Sequence, residues 1–226
     1  MAQPVPSHRA IDLSHTIVDG MTTHPGIPVP SITPILTFEA SAGRYAPGTT
    51  FQIMRIDMAA NTGTYLDTPA HRFPDGADLS ALALEAVVDL PGIVVDATGA
   101  ASRGLGPALF DGLPLAGRAV LVRTGWDRHW GTPTYLADHP HVTADGAAAL
   151  VAAGAVAVGI DSLNVDSLED PARPAHTAIL AAGIPLVEHM CGLEQLPATG
   201  FRFFAVPPRI VGMGTFPVRA FALLDA

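Results

Sequence analysis

Asn61-Thr62-Gly63-Thr64-Tyr65-Leu66-Asp67-Thr68-Pro69-Ala70-His71-Arg72-Phe73 is the stretch in which the chemistry of this chain is expected to lie. Four side chains able to bind or to move protons, Asn61, Tyr65, Asp67 and His71, stand there among small and turn-forming residues. Gly63 has access to backbone angles closed to other residues, while Pro69 fixes its own φ and biases Thr68 away from helix. A shaped loop or a short irregular strand is expected. Alternate side chains of an extended segment share a face, so Asn61, Gly63, Tyr65, Asp67, Pro69 and His71 are expected to point into one cavity.

The frame Asn61-x-Gly63-Thr64-Tyr65-x-Asp67-x-Pro69-x-His71 resembles the signature His-x-Gly-Thr-His-x-Asp-x-Pro-x-His of the cyclase family of metal-dependent hydrolases, which includes bacterial kynurenine formamidase and isatin hydrolase. Gly159-Ile160-Asp161-Ser162, then Ala175-His176, then Gly183-Ile184-Pro185-Leu186-Val187-Glu188 extend the resemblance over most of the chain. It implies an α/β fold, a mixed sheet with flanking helices in a swivelling β/β/α arrangement, as one domain over residues 1–226. It also implies hydrolysis of a small amide, formamide or cyclic amide by metal-activated water, and association into a homodimer or higher homo-oligomer. The residues carried over are Asp67, His71, His176 and Glu188. In this reading Asp67, His176 and Glu188 hold one divalent ion, zinc or manganese, at an open site. His71 is then the general acid or base, a role that imidazole side chains commonly fill near neutral pH.

Asn61 and Tyr65 stand where the signature has metal-binding histidines. An asparagine carbonyl binds a transition metal weakly and a neutral phenol more weakly still, so one family metal position is expected to be lost. Two other readings stay open. Tyr65 and His71, with Asp67 or Glu188, form a metal-free acid/base pair for cyclisation, lactone opening or elimination. Alternatively, the chain is a non-catalytic relative that binds a small molecule.

Nearly half of the 226 residues are hydrophobic and 15% are charged, which fits a compact globular chain with one substantial core. A net charge of -9 argues against a broad nucleic-acid surface and leaves a small molecule as the expected partner. Met1–Ala10 lacks the apolar run of a signal peptide and no stretch reaches transmembrane length, so a cytoplasmic protein without membrane contact is expected. The single cysteine, Cys191, excludes an intrachain disulfide and reads as a small buried hydrophobe.

Outward from the motif, Ala10–Val18 alternates as a first strand ending at the Asp19-Gly20 turn. The loop Thr23–Pro28 places His24 as a candidate substrate contact, beside Asn61. Strands are expected at Ile35–Phe38, Phe51–Ala59, Ile93–Asp96, Ala119–Thr124, Ala155–Asp161, Ile184–Glu188, Phe203–Pro208 and Val218–Leu223, with Tyr45–Gly48 as a reversal. Thr143 is expected to cap a helix running to Gly154, and Pro174–Gly183 to form a second. Asp161 reads as a turn-holding residue. Trp126–His141, with two tryptophans and three histidines, reads as a lid, a subunit contact or a packed loop, and Trp126 is a candidate substrate contact. Arg209–Phe216 reads as a connection lining the pocket.

Overall fold

The computed structural model describes residues 8–225, so most of the Met1–Ala10 segment lies outside the described residues. In chain order the strands are β1 (His8–Asp12), β2 (Ser31–Leu36), β3 (Ile53–Asp57), β4 (Tyr65–Asp67), β5 (Leu90–Asp96), β6 (Gly104–Leu105), β7 (Ala119–Arg123), β8 (His141–Val142), β9 (Ala157–Ile160), β10 (Leu186–Glu188), β11 (Thr199–Phe204), β12 (Thr215–Pro217) and β13 (Phe221–Asp225). The helices are α1 (Phe38–Ser41), α2 (Ala144–Ala152) and α3 (Pro174–Ala181), with several single 3-10 turns between elements.

Nine strands make one sheet in the order β1-β13-β11-β5-β7-β9-β10-β4-β12. Its centre, β5, β7, β9 and β10, is parallel. One wing adds β11, β13 and β1 antiparallel, and the other adds β4 and β12 antiparallel. This is the mixed α/β sheet with flanking helices that the resemblance implies.

Strand alternation sorts the core into two faces. Ile93, Val95, Val120, Val122, Val158 and Ile160 pack against Ala147 and Leu150 of α2 and Ile179 and Leu180 of α3. Leu121, Ala157, Val187 and Leu66 face the other way, onto Leu13, Phe203 and Met190. Gly159 is required by this second face, because a Cβ there would stand 2.5 Å from Met190 Sδ and 2.8 Å from Leu121 Cδ2. α2 begins where expected, with Thr143 Oγ1 accepting from Gly146 N.

Several expected boundaries move, each for a visible reason. The first strand ends at Asp12, because Ser14 bridges to Met190 and His15 N donates to Thr64 Oγ1, which pulls the chain away from β13. Phe38 belongs to α1, which Thr37 caps by accepting from Ala40 N. The final strand begins at Phe221 rather than Val218, whose amide instead bonds Thr64 O. The largest revision concerns Arg209–Phe216, whose end is not a loop. Thr215 opens β12, paired against Asp67. Among the described residues β2 and β3 pair only with each other, as a ribbon beside the main sheet.

Candidate active site

The site sits on the helix-covered face of the β10-β4-β12 wing, where register decides the contacts. Asp67 is opposite both Leu186 and Thr215, and Tyr65 is opposite Glu188. Directly opposed residues on antiparallel strands share a face, so Tyr65, Asp67, Glu188 and Thr215 converge. Pro69 then starts a 3-10 turn that ends at His71 and folds its ring back over Asp67. The expected alternation therefore holds for Tyr65 and Asp67, while His71 arrives by a turn. On α3, Ala175, His176, Ile179 and Leu180 form the inward stripe, which brings His176 down onto the same spot.

Distances make these residues one centre. His176 Nε2 lies 3.6 Å from Asp67 Oδ2 and 3.6 Å from Glu188 Oε1. His71 Nδ1 lies 3.7 Å from Asp67 Oδ1. Asp67, His71 and His176 each offer a ligand atom within 4.8 Å of the others, which makes them the compact metal-capable set among the described residues. The expected set differed by one member. Glu188 is held by other donors, with Oε1 accepting from Val165 N at 2.6 Å and Oε2 from the Tyr65 hydroxyl at 2.7 Å.

Two supporting residues escaped the sequence reading. Asp166 accepts from His176 Nδ1 at 2.7 Å, from His176 N at 3.0 Å and from Ala175 N at 2.6 Å. It therefore caps α3 and fixes the His176 tautomer, leaving Nε2 to face the centre. Thr215 Oγ1 donates to Asp67 Oδ1, so it accepts from His71 Nδ1 at 2.7 Å, which leaves His71 Nε2 bare. No sequence pattern marks Thr215, whose role comes from strand pairing. Asp166 carried no local signal either, since it stands outside the turn that opens α3 and reaches Ala175 N and His176 N only through the fold of the intervening loop.

The electrostatics favour a cation here. Asp67, Asp166 and Glu188 are each at most 1% exposed, and Asp67 Oδ2 has no hydrogen-bond partner among the described residues. Burial alone would lower His176, but the Glu188 charge and its contacts with Asp166 and Asp67 hold it well above its ordinary pKa. Burial would likewise raise Glu188, yet His176 beside it draws the carboxyl down to about 2. Three buried carboxylates close to one imidazole make a place suited to a positive charge, and the orphaned Asp67 oxygen points the same way. The residues present fit a divalent ion. Tyr65 is different, because burial, then the Glu188 and Asp67 charges, push its phenol well above 10. It stays protonated and donates.

A cavity of about 270 Å³ opens over this centre, lined by His24, Asn61, Tyr65, His71, His176 and Glu188 among others. Both loop candidates for substrate contact, His24 and Asn61, thus reach it. Trp126 does not, and that expectation is corrected. Its indole is 4% exposed, donates Nε1–H to Tyr135 O at 3.1 Å, and packs with Tyr135 and Leu163 in a separate apolar cluster. Of the lid, subunit-contact and packed-loop readings of its segment, that packing favours the last. His139 and His141 donate to the Asp166 and His139 carbonyls and join no ligand set among the described residues. Asp161 holds the turn after β7, accepting from Thr124 N, Thr124 Oγ1 and Gly125 N. Cys191 is half-buried rather than fully buried, and burial with nearby carboxylates pushes its thiol to about 12.

Comparison with known proteins identifies the family and the fold. A family model described as "Putative cyclase" matches residues 11–167. A kynurenine formamidase of Bacillus cereus is 27% identical over 211 residues, covering 93% of this chain and 95% of the relative. One from Paracidovorax citrulli is 28% identical over 207 residues, covering 87% and 91%. Isatin hydrolase A from Ralstonia solanacearum superposes with a TM-score of 0.82 at 25% identity, covering 97% of this chain and 93% of that one.

Proposed function

Because this chain belongs to the putative cyclase family, we propose that it is a hydrolase of a carbon-nitrogen bond in a small amide, formamide or cyclic amide. Its relatives named kynurenine formamidase and isatin hydrolase support that reaction class. The observation that carries the reading is the Asp166–His176 pair, which aims Nε2 of His176 between Asp67 Oδ2 and Glu188 Oε1. Asp67, His71 and His176 would hold one zinc or manganese ion. Such an ion supplies Lewis acidity and lowers the pKa of water from about 16 to about 7. Asp166 orients the His176 imidazole, Thr215 fixes the His71 tautomer, and Tyr65 keeps Glu188 in place. His24 and Asn61, on the cavity wall, contact substrate.

A second assignment keeps His71 as the general acid or base, and its bare Nε2 on a ring one-third exposed favours that role. Metal content of His71→Ala separates the two. A ligand loses the ion together with activity, whereas a proton carrier loses activity alone. Zinc or manganese that fails to bind wild type stoichiometrically refutes the metal reading. In the metal-free reading Tyr65 and His71 act with Asp67 or Glu188, and the bond from the Tyr65 hydroxyl to Glu188 is compatible with it; turnover without a bound ion that is lost in Tyr65→Phe would favour it. Hydrolysis of aryl formamides by wild type, lost in His176→Ala, separates an enzyme from a binding relative.

A homodimer is the expected assembly. The β2–β3 ribbon supports it, because Ile35, Ile53, Met54 and Ile56 stand exposed on two strands that pair with nothing else among the described residues. An isolated hairpin is marginal in water, and an apolar patch on one asks for cover. Light scattering that gives the mass of a monomer refutes it. No helix among the described residues is long and apolar enough to cross a membrane.

A further inference from the structure

We propose that Arg72 and Arg173 form an anion-recognition subsite at the mouth of the cavity, so that the substrate carries a carboxylate besides its scissile amide. The inference rests on the hydrolase reading and adds the substrate's charge to it. All twelve basic residues of this chain are arginines, in a molecule of net charge -9. Arg55, Arg103, Arg123, Arg202 and Arg219 each lie against a carboxylate. Arg72 and Arg173 both line the cavity, and among the described residues neither has a carboxylate partner.

Both are nevertheless held in position. Arg72 donates Nε–H to Thr177 Oγ1 at 3.1 Å, which leaves both terminal nitrogens of the guanidinium without a protein acceptor among the described residues. Thr177 Oγ1 in turn donates to Arg173 O at 2.8 Å, so one hydroxyl links the two arginines. Arg173 uses Nη1 on Ser167 O at 3.0 Å and, more weakly, on Asn164 Oδ1. Its backbone is left-handed, at φ 48°, a conformation that non-glycine residues keep only when the surroundings impose it. Here it turns the chain from the Asp170 turn into α3 with the side chain on the cavity wall.

The cavity thus has opposite signs at its two ends. Glu188 lines one end, with the buried carboxylates of Asp67 and Asp166 close to His176 behind it, and the other end carries two planar forks with free donors. A guanidinium fork matches a carboxylate in geometry and charge. An amide with a carboxylate elsewhere in the molecule would put its carboxylate at the arginine end, away from the acidic one, and its carbonyl over His71 and His176. A neutral amide has no such preference in orientation.

The test pairs N-formylanthranilate with formanilide, which is the same aryl formamide without the carboxylate, on zinc-loaded wild type, Arg72→Gln, Arg173→Gln and a distant control, Arg202→Gln on β11. Wild type is expected to favour N-formylanthranilate by at least about tenfold in kcat/KM, chiefly through KM. Each cavity variant is expected to reduce that ratio about tenfold, with the control leaving it unchanged. A ratio unmoved in both Arg72→Gln and Arg173→Gln overturns the subsite. Calorimetric binding of anthranilate against anthranilamide to the same zinc-loaded proteins decides the matter without turnover. Selective anthranilate binding lost in both cavity variants supports the subsite. Anthranilate bound equally by all four proteins, as when the ion alone holds it, or by none, overturns it. Absence of turnover of both formamides counts against the hydrolase reading and leaves the binding result to judge the arginines.

Discussion

Asp166→Asn preserves the shape of the side chain beneath His176 and removes its charge. The Asp166 carboxylate has three donors on two oxygens, Ala175 N on one and both His176 N and His176 Nδ1 on the other. An asparagine has one carbonyl oxygen, so whichever way its amide turns, an NH₂ faces at least one buried N–H. An unsatisfied buried donor costs about 1–3 kcal/mol. In a chain of this length that corresponds to a fall in Tm of roughly 3–10 °C. Loss of the carboxylate also makes His176 a weaker ligand, for which the usual penalty is about 10–100-fold in metal affinity. Zinc competition against a chromophoric chelator reads the affinity and thermal melting reads the stability. A variant that melts lower yet binds zinc within about twofold of wild type would show that Asp166 is a helix cap and nothing more, and the proposed orientation of His176 would be wrong.

Gly214→Ala is expected to abolish activity, because a Cβ at 214 collides with the backbone of Ala70 and His71, the turn that places the His71 ring; activity near wild type would refute this. Tyr65→Phe removes the donor on Glu188 Oε2 and should cost about 1–3 kcal/mol in urea unfolding, a carboxylate acceptor being left short of a partner; an unchanged midpoint counts against it. His15 is drawn down to about 4 by burial, its ring stacked on Trp130 at 3.9 Å. A depressed folded pKa means that stability is complete above the unfolded value of 6.5 and drains as pH falls through the window to about 4. The ring is partly accessible, so the loss is put at about 1–2 kcal/mol, below the 3 or so that the full shift implies. His15→Gln should flatten that part of the stability profile, and an identical slope in both proteins refutes it. Chelation should lower the melting temperature, by an amount equivalent to about 2.7 kcal/mol at an ion concentration one hundred times Kd, and no shift on chelation speaks against the site.

The parts of the site that were legible in the sequence are those whose chemistry is rare. Asp67, His71, His176 and Glu188 were legible because their positions match the signature of the resembled family, within which their types suit a metal or a proton, and two of them share a thirteen-residue stretch. The strands of the parallel centre were legible for a similar reason, since runs such as Ala119–Arg123 are apolar on both faces and fit only a buried strand. Thr215 and Asp166 have ordinary identities, and only pairing gives them a role. Thr215 lies 148 residues from Asp67 and meets it because β12 happens to pair in that register. Trp126 failed the other way, being conspicuous in the sequence and apolar enough to be drawn into its own cluster, away from the cavity.

The replacement of two signature histidines then has a physical consequence beyond lost ligands. At position 65 an imidazole would offer a lone pair to an ion. A phenol held far above its ordinary pKa offers a proton instead, and Glu188 Oε2 takes it. That bond engages one oxygen of a carboxylate that would otherwise face the centre, while Val165 N engages the other. Glu188 is thereby turned from a candidate ligand into a fixed negative charge beside His176. The cluster keeps three buried carboxylates around a single imidazole, with fewer lone pairs free to reach an ion. In the proposed metal reading one cation would suit the arrangement that remains, and a second would have to break the Tyr65–Glu188 bond to enter.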